Sequence, residues 1–287
     1  MGYIQYFEFM TELKIAEMIN KRVSIIGCGN IGISLLQGLL KQQTIPSKNI
    51  TATRRNIEEL AHLKESGVRL MSDNIEAIKE SDLIIIAVKP YNIVGVLEEL
   101  KDHFKPGRQL LISVTAGVTI SKIQDVIGTR VSVFRAMPNI SASVGKSVTC
   151  ICHNGEKLKD LESVKLLFDI IGTTMTIDED LMESATILGA CGIAYVLRFI
   201  RAMIQGGIQI GFDAATASAI VNQTVKGAAE LLIERHQHPE FEIDKVTTPK
   251  GCTIVGLNEM EHNGFSSSLI KGLVASFEKI ETKSFYL

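Results

Sequence analysis

The chain has 287 residues, 46% of them hydrophobic and 22% charged, the composition of a globular protein with room for two domains and a large core. A formal charge of −2 excludes the broad basic surface that nucleic-acid binding needs, and the pairs Lys21-Arg22 and Arg54-Arg55 are too short to supply one. Five scattered cysteines, at 28, 150, 152, 191 and 252, exclude a disulfide framework and fit a reducing, cytoplasmic setting.

Glu8, Glu12 and Glu17 interrupt what a signal peptide would keep apolar, and the apolar residues at 9, 10, 13, 15 and 18 predict a short amphipathic helix. Residues 1–20 are therefore read as an N-terminal extension. No stretch offers the ~20 uninterrupted apolar residues that span a bilayer, so a soluble protein is expected.

From residue 22, short β-branched runs alternate with longer amphipathic segments. The runs are "RVSIIG", "ITAT", "VRLM", "DLIIIAV" and "LLISVT", and helical patterns lie near 31–41, 56–66, 74–80 and 91–103. Apolar strands alternating with helices predict βαβ units and a parallel sheet. The runs "VSVFRA", "SVTCICH" and "TTMTI" extend that sheet, their direction left open. The fold class is α/β: a Rossmann-like doubly wound sheet over 21–180, then an all-helical domain over 181–287.

The first strand ends in Gly27-Cys28-Gly29-Asn30-Ile31-Gly32 and runs straight into a helical pattern. This is GxGxxG in its required context, pointing to a dinucleotide site. The first glycine permits the turn, Gly29 admits a pyrophosphate close to the backbone, and Gly32 allows tight helix–strand packing. At the end of the second strand an NAD-preferring site carries an acid. Here stand Thr53, Arg54 and Arg55, two cations suited to a 2′-phosphate, so NADPH is expected, with NADH as the alternative. Two more strand ends, Ala87-Val88-Lys89-Pro90 and Ala116-Gly117, point to the same sheet edge. Small residues there let a nicotinamide ring approach, and Lys89 is placed to bond cofactor hydroxyls or set substrate charge.

Beyond residue 180 the strand signal disappears. The segment 179–213 is apolar nearly all round, with small residues at Gly189, Ala190, Gly192 and Ala194, and needs burial by other helices or a second subunit. A homodimer through these helices is expected. A second helix is predicted over 214–235, a loop over "HQHPEFEID", and a last amphipathic helix over 265–283. In "VTTPKGCTIVGL", residues 246–257, hydroxyls and a proline precede the apolar pattern of Ile254, Val255 and Leu257. That reads as a helix N-terminus able to take an anion. His236 and His238 lack a third ligand at credible spacing, as do Cys150 and Cys152, so no metal site is expected.

Taken together, "AVKP", "VTAGVT", "RAMPN" (135–139), "GIAYV" (192–196), "NQTVKGAA" (222–229) and "HPEFEIDKVTTPKGCTIVGL" make a specific order. The sequence resembles pyrroline-5-carboxylate reductase over residues 22 to 283. The resemblance implies NAD(P)H-dependent reduction of pyrroline-5-carboxylate to L-proline, the last step of proline biosynthesis. It matches Gly27 to Ile31, Asn74, Ala87 to Pro90 and Ala116-Gly117 to cofactor-holding positions. It also assigns the substrate carboxylate to Thr248, Lys250, Gly251, Cys252 and Thr253, and the hydroxyl facing the imine nitrogen to Thr253, the expected catalytic residue. Three departures stand out: Lys250 for a loop glycine, Cys252 for a small or hydroxylated residue, and "LGACGIAY" for "LSGSGPAY". They keep two alternatives open. One is a related imine or hydroxyacid reductase, although the stretch 189–203 offers Arg198 and Arg201 where hydroxyacid enzymes need lysine. The other is a catalytically lapsed NADPH-binding sensor or partner protein.

Overall fold

The computed structural model of the chain describes residues 18–154 and 158–284. Most of the N-terminal extension, with its predicted helix, lies outside the described residues; Met18 is buried in the core. The chain divides into two compact units, one running to Cys191 and taking in the residues from Phe277, the other Gly192–Ser276.

The first unit is built on an eight-stranded sheet in the order β3-β2-β1-β4-β5-β6-β7-β8. The strands are β1 Val23–Ile26, β2 Ile50–Thr53, β3 Arg69–Met71, β4 Leu83–Ile86, β5 Leu110–Ser113, β6 Ser132–Met137, β7 Ser147–His153 and β8 Gly172–Thr176. Pairing is parallel from β3 through β6, antiparallel between β6 and β7, and parallel again between β7 and β8. The direction left open by the sequence is thus settled at one reversal.

The central strands are buried on both faces, and alternation of side chains distributes them between two cores. Ile25, Leu83 and Ile85 join the cluster that contains Leu35, Leu39 and Phe168. Ile26, Ile84 and Ile86 join the opposite one, with Ile93, Leu97 and Ile123. Chain order reverses between β1 and β4, which pair in register Val23 with Leu83 through Ile26 with Ile86. The crevice outside the carboxyl ends of these two strands is where an open α/β sheet takes its ligand.

Between strands lie α1 Asn30–Gln42, α2 Asn74–Ile78, α3 Pro90–Leu100, α4 Ile120–Ile127 and α5 Leu158–Asp169. The helical pattern near 56–66 proves to be a ten-residue 3-10 helix, Ile57–Ser66. Its two buried residues, Leu60 and Leu63, are three apart, the spacing that a 3-10 helix eclipses on one line.

The helical stretch after β8 comprises α6 Met182–Ala185, a π-helical segment Thr186–Cys191 and α7 Gly192–Gln209. It is followed by α8 Ala214–Arg235, α9 Pro239–Val246, α10 Cys252–His262 and α11 Phe265–Ser284. The loop expected over 236–244 is instead largely α9. His238 caps it, accepting from the Glu240 N–H through its ring at 3.3 Å, and Pro239 stands at the first turn, where its missing N–H costs nothing.

By length and composition the run Glu179–Gln209 is long and apolar enough to cross a membrane. The expectation of no such segment counted uninterrupted apolar residues and so stopped at Arg198 and Arg201. Within 192–276 only Ala217 and Val221 are buried. Val196, Leu197, Ile220, Val255, Leu269 and Ile270 are all exposed.

Candidate active site

The turn after β1 places glycines where side chains would not fit or would obstruct. Gly27 has φ +88°, and a Cβ there would lie 2.5 Å from the Val88 side chain. At Gly32 a Cβ would meet the Gly27 carbonyl oxygen at 2.9 Å, so α1 packs against the turn at backbone distance. Gly29, by contrast, has open space where its Cβ would stand. It is the N-cap of α1, whose start has no side-chain cap and no acid in its first turn. Uncapped N–H groups beside open space form a cradle for an anionic pyrophosphate.

Thr53 locks that turn from the neighbouring strand. Its hydroxyl accepts from the Gly27 N–H at 3.2 Å and donates to Asn74 Oδ1 at 2.7 Å, and its carbonyl accepts from the Cys28 N–H at 2.8 Å. Arg54 continues the grip, donating through Nη1 to the Cys28 carbonyl at 2.7 Å and pairing with Glu59. Burial pushes the Cys28 thiol up to about 12, against the opposing pull of Arg54, so Cys28 is a neutral packing group.

These elements enclose a cavity of about 680 Å³ within the first unit. Of the expected cofactor residues, Gly27 to Ile31, Arg54, Arg55, Asn74, Ala87, Val88, Lys89 and Ala116 line it. Pro90 and Gly117 do not: Pro90 is the first residue of α3, and Gly117, at φ +75°, shapes the turn after β5.

Sequence reasoning missed part of the wall, including Glu59, Asn92, Met137 to Ile140, Thr186, Ala190 and Cys191. Asn139 ties two of these segments together, its Nδ2 donating to the Gly189 carbonyl of the π-helical segment at 3.0 Å. Arg135, buried in β6, anchors the same region through Glu179 at 3.1 Å and Glu183 at 2.7 Å. The "RAMPN" and "LGACG" stretches carried the only sequence signal for this wall.

The second unit holds the loop before α10. The Gly251 N–H donates to the Thr248 carbonyl at 2.9 Å, closing a turn with Pro249 and Lys250 at its centre. Lys250 has φ +60°. Proline followed by positive φ is the type II pattern, which reserves its third position for glycine or asparagine. Lys250 therefore occupies a left-handed position at a cost of roughly 1–2 kcal/mol. At Gly251 a Cβ would meet Thr248 Oγ1 at 2.6 Å and the Thr248 carbonyl oxygen at 3.0 Å, so a side chain there would have to displace the Thr248 hydroxyl. Gly251 is the N-cap of α10, and the helix start again lacks a side-chain cap or an acid. Pro249 thus shapes the turn and is not itself the first helical residue. Thr253 stands in the first turn, half-buried; Thr248, Lys250 and Cys252 are exposed.

Comparison with known proteins decides the family. The profile described as pyrroline-5-carboxylate reductase dimerisation matches residues 179–283, and that described as NADP oxidoreductase coenzyme F420-dependent matches 22–117. Pyrroline-5-carboxylate reductase 2 of Dictyostelium discoideum is 41% identical over 276 residues, covering 91% of this chain and 92% of that protein. The chain belongs to the pyrroline-5-carboxylate reductase family. It is also 39% identical to the family's reductase 1 of Dictyostelium discoideum, spanning half of that longer protein's length and 92% of its own. A solved family structure, Plasmodium falciparum pyrroline carboxylate reductase with NADP bound, superposes with a TM-score of 0.85 at 29% identity. It covers 93% of this chain and 99% of that one. The helix starts at Gly29, beside the switch-point cavity, and at Gly251 share a lack of side-chain cap and of first-turn acid, an arrangement that suits an anionic ligand.

Proposed function

We propose that the chain reduces L-1-pyrroline-5-carboxylate to L-proline with a reduced nicotinamide dinucleotide. The end-to-end likeness to pyrroline-5-carboxylate reductases is the observation that carries this reading. The cavity fits the cofactor on its own terms, with an uncapped helix start, an open cradle at Gly29 and cationic side chains from Arg54 and Arg55. When bound, the reduced nicotinamide supplies the hydride.

The chain's own residues bind and orient. Gly27 to Ile31 would hold the pyrophosphate, and Ala87, Val88 and Ala116 would line the approach of the ring. Lys89 would bond cofactor hydroxyls, and Asn74, bonded to Thr53 at the end of β2, would hold the cofactor from that strand end. Thr248, Lys250, Gly251 and Cys252 hold the substrate carboxylate at the start of α10, as the family resemblance implies. Thr253 positions the imine nitrogen; protonation there already makes the imine carbon electrophilic toward hydride, so no acid–base pair is required. Holding the two reactants in near-attack geometry contributes several kcal/mol, up to roughly 7–11 in ideal intramolecular cases.

The assembly completing the second unit is a homodimer. Exposed Val196 and Leu269 share an apolar groove of about 730 Å³ with Tyr195 and Phe199, inside the segment matched by the dimerisation profile. All five cysteines are free, which fits a cytoplasmic protein.

Oxidation of NADPH and of NADH by the purified protein, with and without pyrroline-5-carboxylate, tests the reading. Saturable turnover yielding proline is expected. Tight nucleotide binding without turnover would replace this reading by a related reductase with a shifted substrate or by the lapsed binding protein, with the Lys250 loop as the departure to test next.

A further inference from the structure

The cavity contains one residue whose charge runs against the cofactor choice its sequence advertises. Arg54 stands at the end of β2, where dinucleotide sites distinguish a ribose 2′-hydroxyl from a 2′-phosphate. Both of its terminal nitrogens already have protein acceptors. Nη1 donates to the Cys28 carbonyl at 2.7 Å, and Nη2 pairs with the Glu59 carboxylate. Glu59 reaches it from the first turn of the 3-10 helix Ile57–Ser66, and both side chains line the cavity beside Arg55 and Asn56.

The pairing changes what that corner offers a nucleotide. A 2′-phosphate brings a charge of about −1.5 to −2 and strong acceptor oxygens. It arrives at an arginine that is already neutralised and next to a carboxylate that repels it. Arg55, exposed and without an ion pair among the described residues, is the cation left free to receive it. A 2′-hydroxyl brings no charge, and a carboxylate oxygen is a good acceptor for it.

We propose that Glu59 is a specificity-determining residue of the cofactor cavity, a built-in counter-anion that weakens 2′-phosphate binding and lets NADH compete with NADPH. In this arrangement Arg54 is chiefly a clamp on the glycine turn, and Arg55 carries the phosphate. The inference rests on the reading of the cavity as the dinucleotide site.

Calorimetric titration of the full-length protein and of Glu59→Gln tests it, with NADPH, NADH, adenosine 2′,5′-bisphosphate and 5′-AMP at matched ionic strength. The variant should bind NADPH and the bisphosphate about tenfold more tightly, with NADH and 5′-AMP unchanged or weaker. Arg55→Ala should weaken only the two 2′-phosphorylated ligands. A Glu59→Gln protein in which all four ligands shift together, or none shifts, overturns the proposal and leaves the dinucleotide site standing. Failure of the wild-type protein to bind any of the four overturns the reading of the cavity and this inference with it.

Discussion

The sheet unit and the helical unit solve burial in opposite ways. In the first, β1 and β4 are covered on both faces, and even the polar Ser24 within β1 is satisfied, donating to the Ala77 carbonyl at 2.6 Å. In the second, apolar side chains such as Leu197, Ile220 and Ile270 stand exposed, and only Ala217 and Val221 of residues 192–276 are buried. Helices this apolar, exposed over so much of their surface, exceed what a monomer normally presents. The sheet is a finished object in one chain, whereas the helices are written for company.

The contrast breaks most visibly at the helical groove. Val196→Asp places a charge in a face that the proposed dimer buries, and should weaken association on the order of 100-fold or more. Sedimentation velocity over a concentration series reads this, and an unchanged mass distribution removes that groove from the interface. The sheet unit should respond to its own internal ion network instead. Arg135→Ala leaves Glu179 and Glu183 without their buried partner, at a cost of about 3–5 kcal/mol in unfolding free energy. Urea denaturation checks it, and a loss under 1 kcal/mol would mean that solvent reaches the carboxylates.

Function sharpens the same division. Thr253→Ala should lower turnover roughly 10- to 100-fold while the nucleotide dissociation constant stays put, because the cofactor cavity lies wholly in the other unit. Unchanged turnover would remove Thr253 from the mechanism. The smallest effect belongs to the turn. Lys250→Gly relieves a positive φ and should stabilise the fold by about 1 kcal/mol, net of glycine's extra chain entropy. KM for the substrate should rise at the same time, and a stabilised protein with unchanged KM would leave Lys250 without a binding role.

What the sequence revealed divides along physical lines. The glycine turn was legible because close backbone approach admits only certain residues, and Gly27 and Gly32 prove to lack room for a side chain. The eight strands were legible from apolar runs. Direction at β7 was not, since antiparallel and parallel neighbours can share one composition. The helix Pro239–Val246 was hidden because Pro239 and two histidines suggest a loop, although proline is at home in a first helical turn. The cavity wall at Met137, Thr186 and Cys191 was hidden for a different reason: it is assembled by tertiary packing, and the family-like stretches that contain Met137 and Cys191 do not by themselves say that they meet. Glu59 was missed on the same account, five residues beyond Arg54 but folded back onto it.

The thiols of the chain differ sharply in their surroundings. Cys28 and Cys152 are buried, and burial raises their thiols to about 12 and about 11. Cys150 and Cys191 are partly covered, whereas Cys252 is exposed, immediately before Thr253. The loop proposed to hold the substrate therefore carries a native attachment point for a thiol-reactive fluorophore. Occupancy of the loop can be followed as protection from labelling, residue by residue in a mass spectrum, without altering a single amino acid.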